Sequence, residues 1–166
     1  MIAEPFVAAA NRFAACLSRI PDGLIALVGR ISIAAIFWRS GQTKIEGFTL
    51  DPQEGRFEWG WPKLADSAVF LFREEYRLPL VDPQWAALAA AVAEHLFPAL
   101  LLFGLATRFA ALGLLIMTAV IQFLVYPEAW PTHGVWAAVL LQLLARGAGE
   151  LSLDHLLARR TRSAAR

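Results

Sequence analysis

Four apolar stretches, each bounded by proline, glycine or charge, set the rhythm of this chain. Residues 23–41 (GLIALVGRISIAAIFWRSG) follow Pro21 and are interrupted by Arg30. Residues 84–105 (QWAALAAAVAEHLFPALLLFGL) carry Glu94 and His95 near their middle. Residues 108–126 (RFAALGLLIMTAVIQFLVY) form the cleanest run, and residues 133–147 (HGVWAAVLLQLLARG) a shorter one that can extend in both directions. None alternates with the period of a strand, and roughly 20 apolar residues in a helix cross a bilayer core. The pattern predicts an all-α fold, a membrane four-helix bundle forming a single integral-membrane domain over residues 1–166.

The connections fit that count. The short ATR turn (residues 106–108) makes the second and third spans antiparallel neighbours, and Pro127 and Pro131 stop the third helix before the fourth begins. The segment from 44 to 82 is the one long connection, an outer loop with structure of its own. Pro62 is suited to open a helix there, and Leu64, Ala68, Leu71 and Phe72 recur near helical spacing. The expectation is an amphipathic helix over residues 62–76 capping the bundle, with Trp59 and Trp61 as interfacial anchors. At the N-terminus, Phe6, Phe13, Leu17 and Ile20 fall near one helical face, as in a helix lying in the membrane interface. Glu4 and Arg12 interrupt any signal-peptide pattern there.

Composition sharpens the membrane reading: 58% of residues are hydrophobic and 17% charged, with a mean hydropathy of +0.52. Soluble domains carry more charge and less apolar surface. The arrangement of charge says more than its net value. Arg12, Arg19, Arg108, Arg146, Arg159, Arg160, Arg162 and Arg166 fall on one side of a four-span layout. The loop on the other side dilutes Lys44, Arg56, Lys63, Arg73 and Arg77 with acidic residues. The positive-inside rule then predicts that both termini, and the tail from 148 to 166, are cytoplasmic. No basic tract with interleaved aromatics points to nucleic acid. Cys16 is the only cysteine, which excludes an intramolecular disulfide and a CxxC redox pair. Redox chemistry would need a bound ligand or a partner protein, because no cofactor motif is built in.

Ionisable groups inside a span cost roughly 2.5–3.5 kcal/mol each on insertion scales and mark a site or a partner. Glu94 lies about 15 Å below the outer end of its span, and Arg39 about 8 Å below Lys44, at 1.5 Å per residue. Arg30 approaches the midplane from the other side, so Arg30, Arg39 and Glu94 are candidates for a structural ion pair. Arg39, Lys44, Glu94, His95, Gln122, His133 and Trp136 together are candidates for a ligand site. A carboxylate, an imidazole and a cation in an apolar pocket suit a quinone headgroup packed on Phe37, Trp38, Phe97 and Trp136. Glu94 and His95 project about 100° apart, so one of them can face the ligand while the other braces a helix. His95, His133 and His155 show no metal-ligand spacing, and no metal site is expected. The alternative is a noncatalytic membrane anchor or assembly module whose polar residues only set helix packing. Membrane lipid is an expected partner in either case, and a redox partner protein and an oligomer are compatible with both.

Several stretches resemble the DoxX family of small bacterial membrane proteins: FWRSGQTKIEGF (residues 37–48), LFREEYRLPLVDP (71–83), EHLFPALLLFGLATRFAALGLL (94–115) and GAGELSLDHLLARR (147–160). Gly41, Lys44, Glu94, Thr107, Arg108 and Asp154 match positions of that pattern. Many relatives have Gly-Pro-Gly where this chain has Gly147-Ala148-Gly149. The resemblance implies a four-helix membrane protein associated with respiratory or oxidative-stress redox systems. With that resemblance, the chain is expected to be a quinone- or lipophilic-ligand-binding subunit of a redox complex in the bacterial inner (cytoplasmic) membrane. Thr107 and Arg108 are then expected to cap helix ends, and Asp154 to start or cap a terminal helix whose basic residues meet anionic lipid.

Overall fold

A computed structural model describes residues 3–52 and 54–164, without the side chains of residues 3–6, 162 and 164. Phe6, Arg162 and Arg166, used above for an apolar face and a charge pattern, lie outside what it describes. The chain folds into α1 (Ala3–Leu17), α2 (Asp22–Gln42), β1 (Ile45–Asp51), β2 (Arg56–Leu64), α3 (Asp66–Leu71), α4 (Pro83–Phe103), α5 (Thr107–Val120), α6 (Trp130–Arg146) and α7 (Leu153–Ala164). Helices α2, α4 and α5 (the last continued to Val125) are long and apolar enough to cross a membrane. They and α6 close a ring in which α2 packs on α4, α4 on α5, α5 on α6 and α6 on α2.

Small residues let these helices approach. Ala26, Ala34, Ala110 and Ala111 are buried among Ile33, Phe37, Leu101, Leu114, Leu140 and Leu143. Lipid tails are as apolar as leucine, so close packing rather than water exclusion holds such helices together. Gly113 is one contact of this kind: a Cβ there would sit 2.4 Å from the Phe97 ring. The helix ends are closed locally. Asp82 caps α4 by accepting from the Gln84 and Trp85 amides, Pro83 occupies the first turn, and Gly104 in the left-handed region ends the helix. Pro98, inside α4, has no N–H for the carbonyl of Glu94 four residues earlier, so the ladder is interrupted at the carboxylate.

The outer loop departs from the sequence expectation. Residues 45–64 form an antiparallel hairpin rather than the start of a helix, so the fold is not wholly α. Pro62 lies within β2, where a two-stranded ribbon tolerates a missing N–H, and the helix begins at Asp66. It ends in a wide turn of π type at Phe72–Tyr76, whose Phe72 packs on Ala86 and Ala87 of α4. The strand signal was the alternation of Phe57, Trp59 and Trp61 with Glu58 and Gly60; these three aromatics are exposed. On the other strand, Leu50 turns its backbone away from the hairpin. Its N–H donates to Gln42 Oε1 at 2.7 Å and its carbonyl accepts from Trp38 Nε1 at 2.9 Å, which ties the hairpin to α2.

At the opposite end of the bundle, Arg30 is 1% exposed and donates to the carbonyls of Leu101 (3.1 Å) and Leu151 (2.6 Å). A cation thus sits at the C-terminus of α4, where the helix dipole favours it, and holds the tail segment against the bundle. Asp154 stands in the first turn of α7, as expected, and its carboxylate caps α5: it accepts from the Ala106 and Thr107 amides at 2.8 and 3.0 Å. The cap of α7 is Ser152, whose Oγ accepts from the His155 amide at 3.2 Å. Arg108 donates to the Ala145 carbonyl at the end of α6, as expected of a helix-end cap.

Candidate functional site

Glu94 is 3% exposed on the inner face of α4, and its counter-ion is Lys44, 6% exposed just past the end of α2. Lys44 Nζ lies 2.7 Å from Glu94 Oε2. This corrects both arginine candidates: Arg30 is committed to carbonyls at the other end of the bundle, and Arg39 forms an exposed pair with Glu54. The lysine reaches the carboxylate because its side chain folds back along α2. Nζ donates to the Ser40 carbonyl at 3.2 Å and to Ser40 Oγ at 3.0 Å. The ammonium is thus held between Ser40 and the Glu94 carboxylate. Gly41 makes room for this arrangement, since a Cβ there would lie 2.8 Å from the His95 ring and 3.1 Å from Glu94 Cβ.

The two histidines of the bundle differ in what they leave open. His95 Nδ1 faces the Ala91 carbonyl at 2.7 Å, so that nitrogen carries the proton. Its Nε2 lies 2.8 Å from the Gln42 amide nitrogen. The Leu50 N–H fixes the orientation of Gln42, because an N–H can donate only to the amide oxygen. Both ring nitrogens of His95 are therefore used, and Trp38 packs edge-on against the ring with centroids 4.9 Å apart. His133 is 6% exposed, and its Nδ1 lies 2.8 Å from Gln122 Oε1. Gln122 is fixed in turn by donating its NH₂ to the Pro127 carbonyl at 2.7 Å. A carbonyl only accepts, so Oε1 faces His133 and Nδ1 holds the proton. His133 Nε2 is left as an acceptor without a partner among the described residues.

Between α2, α4, α5 and α6 lies a cavity of about 610 Å³. Its walls are largely apolar, including Ile36, Phe97, Ile116 and Val120. Ser40, Lys44, Glu94, His133 and Trp136 supply its polar and aromatic groups. Phe37 meets the Trp136 ring edge-on at 5.4 Å. Tyr76 and Tyr126 stand at the end nearest the outer loop, with ring centroids 5.8 Å apart. Tyr126 donates to the Glu75 carboxylate, which raises the Tyr126 phenol above its ordinary range; burial raises that of Tyr76. Both phenols stay protonated at neutral pH.

The structure therefore gathers Lys44, Glu94, His133 and Trp136 of the sequence candidates around one cavity, with Gln122 bonded behind His133. It leaves His95 and Arg39 outside: His95 faces a groove under the hairpin, and Arg39 lines a groove on the outer surface between α2 and α4. Ser40, Tyr76 and Tyr126 were not singled out by sequence. Ser40 was accessible to reasoning, because it stands one helical turn before Lys44. The tyrosines were not, since their position depends on how the outer loop folds back. Among the described residues, no cluster of three or more His, Cys, Asp or Glu could hold a metal.

Comparison with known proteins places this arrangement among relatives. Residues 25–127 match the sequence pattern of the DoxX family. An uncharacterized protein of Haemophilus influenzae is 30% identical over 146 residues, spanning 83% of this chain and 86% of its own length. No solved structure matches.

Proposed function

The chain belongs to the DoxX family, and on that premise we propose that its cavity binds a lipophilic ligand with an oxygen-bearing ring, of the quinone kind, within a membrane redox complex. The observation that carries this reading is the lining of the 610 Å³ cavity, largely apolar with a few polar groups, chief among them the Lys44–Glu94 pair and His133. Ligand sites are typically hollows of about 300–1,000 Å³ with apolar walls and few polar groups. A ring fits between Phe37, Phe97 and Trp136, with its oxygens toward the polar wall. An isoprenoid tail would leave through the bundle toward lipid. With no cofactor motif in the chain, electrons would pass through a partner protein.

The test fills the cavity without touching its polar groups. Ala93 lines it on α4, beside the ion pair. Protein purified in mild detergent should release a quinone-class lipid on organic extraction, detected by mass spectrometry, and Ala93→Phe should release at least about tenfold less, as a blocked pocket would. A wild-type extract without such a lipid, even after quinone is added to protein in nanodiscs, would sink the proposal.

The layout in the membrane belongs to the same proposal. Helix α6 supplies the fourth span, with Pro127–Ala129 extending it at the outer end. The hairpin rests at the outer leaflet with Trp59 and Trp61 among headgroups, and Arg108, Arg146, Arg159 and Arg160 face the cytoplasm. Cys16, the sole cysteine, is exposed on α1 and reports the orientation directly. In intact spheroplasts a membrane-impermeant maleimide should leave it unlabelled, and label it after permeabilisation. Labelling of intact cells would invert the topology.

A further inference from the structure

One acceptor of the cavity wall is left without a donor among the described residues. Lys44 is held between Ser40 and Glu94, and Tyr126 gives its single proton to Glu75, so these donors are committed within the protein. His133 Nε2, in contrast, is locked as an acceptor through Gln122 and Pro127 and needs a donor from the ligand. The lining also carries donors, the Trp136 indole N–H and the Ser40 and Tyr76 hydroxyls.

From this accounting we propose that the cavity selects the reduced, hydroxyl-bearing form of its ligand, a hydroquinone, over the carbonyl-bearing quinone. This rests on the reading of the cavity as a quinone-type site. A quinone carbonyl is an acceptor only, and beside His133 Nε2 it would leave two acceptors facing each other in a pocket shielded from water. A hydroquinone hydroxyl donates to Nε2 and can still accept from Trp136. The selectivity is set two residues away from the ligand, because the Pro127 carbonyl orients Gln122 and Gln122 decides which imidazole nitrogen carries the proton. His133 is thereby the specificity-determining residue, and Gln122 its positioning residue.

The test compares binding of a short-chain benzoquinone and of its hydroquinone, kept reduced under argon, to the full-length protein in nanodiscs, with empty nanodiscs as the partition control. Wild type should bind the hydroquinone about tenfold more tightly, the difference made by one satisfied buried acceptor. His133→Phe should bring the two forms within about twofold while quinone binding persists, because the acceptor is gone. Gln122→Met, which releases Nδ1 and lets the imidazole change tautomer, should narrow the preference in the same direction. It carries the test if His133→Phe does not yield a monodisperse bundle. Equal binding by wild type, or a preference for the quinone, overturns this inference and leaves the ligand assignment standing. Binding of neither form overturns both. A hydroquinone preference that survives in His133→Phe and in Gln122→Met overturns the role of His133.

Discussion

Lys44→Met should destabilise the bundle by about 3–5 kcal/mol, the cost of leaving one member of a buried ion pair without its partner. Methionine replaces the stem of the lysine well, so lost packing is a minor part. What changes is that the Glu94 carboxylate, 3% exposed, loses the ammonium 2.7 Å away. The double variant Lys44→Met/Glu94→Met should recover most of the loss, because no charge then stays buried and unpaired. Unfolding of purified protein by SDS in mixed micelles reads both values. A double variant no more stable than Lys44→Met would show that the pair is not the source of the cost. The double variant should keep the bundle while removing the charged pair from the cavity wall.

Arg30→Met should be comparably severe, at about 3–5 kcal/mol, for a different reason. Here a donor is lost and carbonyl acceptors are left behind. The guanidinium donates to the Leu101 and Leu151 carbonyls, with a longer contact to Leu102 at 3.5 Å, and charged hydrogen bonds of this kind contribute about 1.5–3 kcal/mol each. Orphaning the carbonyls at the end of α4 also removes the tie to the tail. Amide hydrogen exchange should therefore accelerate first in residues 149–158, ahead of the bundle itself. Uniform acceleration, with no lead in the tail, would place the effect of Arg30 in the helix core and not at the tail junction.

The four apolar runs were legible because a long apolar helix leaves one unbroken feature in the sequence. The runs at 23–41, 84–105, 108–126 and 133–147 correspond to α2, α4, the α5 segment to Val125 and α6. The hairpin was missed because two signals competed in one loop. Leu64, Ala68, Leu71 and Phe72 carry a helical period, while the shorter alternation of Phe57, Trp59 and Trp61 carries a strand period. The helical signal was real but began too early, and its first turn is strand. The ion pair was half legible. Glu94 stood out as a carboxylate in a span, yet depth counted along a straight helix kept Lys44 too far out. A lysine that bonds the carbonyl four residues back places its charge about 6 Å deeper than its position in the sequence suggests. The contrast between the histidines was not legible at all, since it depends on a glutamine and a backbone group beside each ring.

The tie between the hairpin and α2 has a bearing on how this chain can change over time. Gln42 and Trp38 recognise residue 50 through its main chain alone. Every amino acid except proline presents that N–H and carbonyl. The hairpin can therefore drift widely in sequence, its outward face refitted to new membranes or neighbours, while its attachment to the bundle is inherited through two residues of α2.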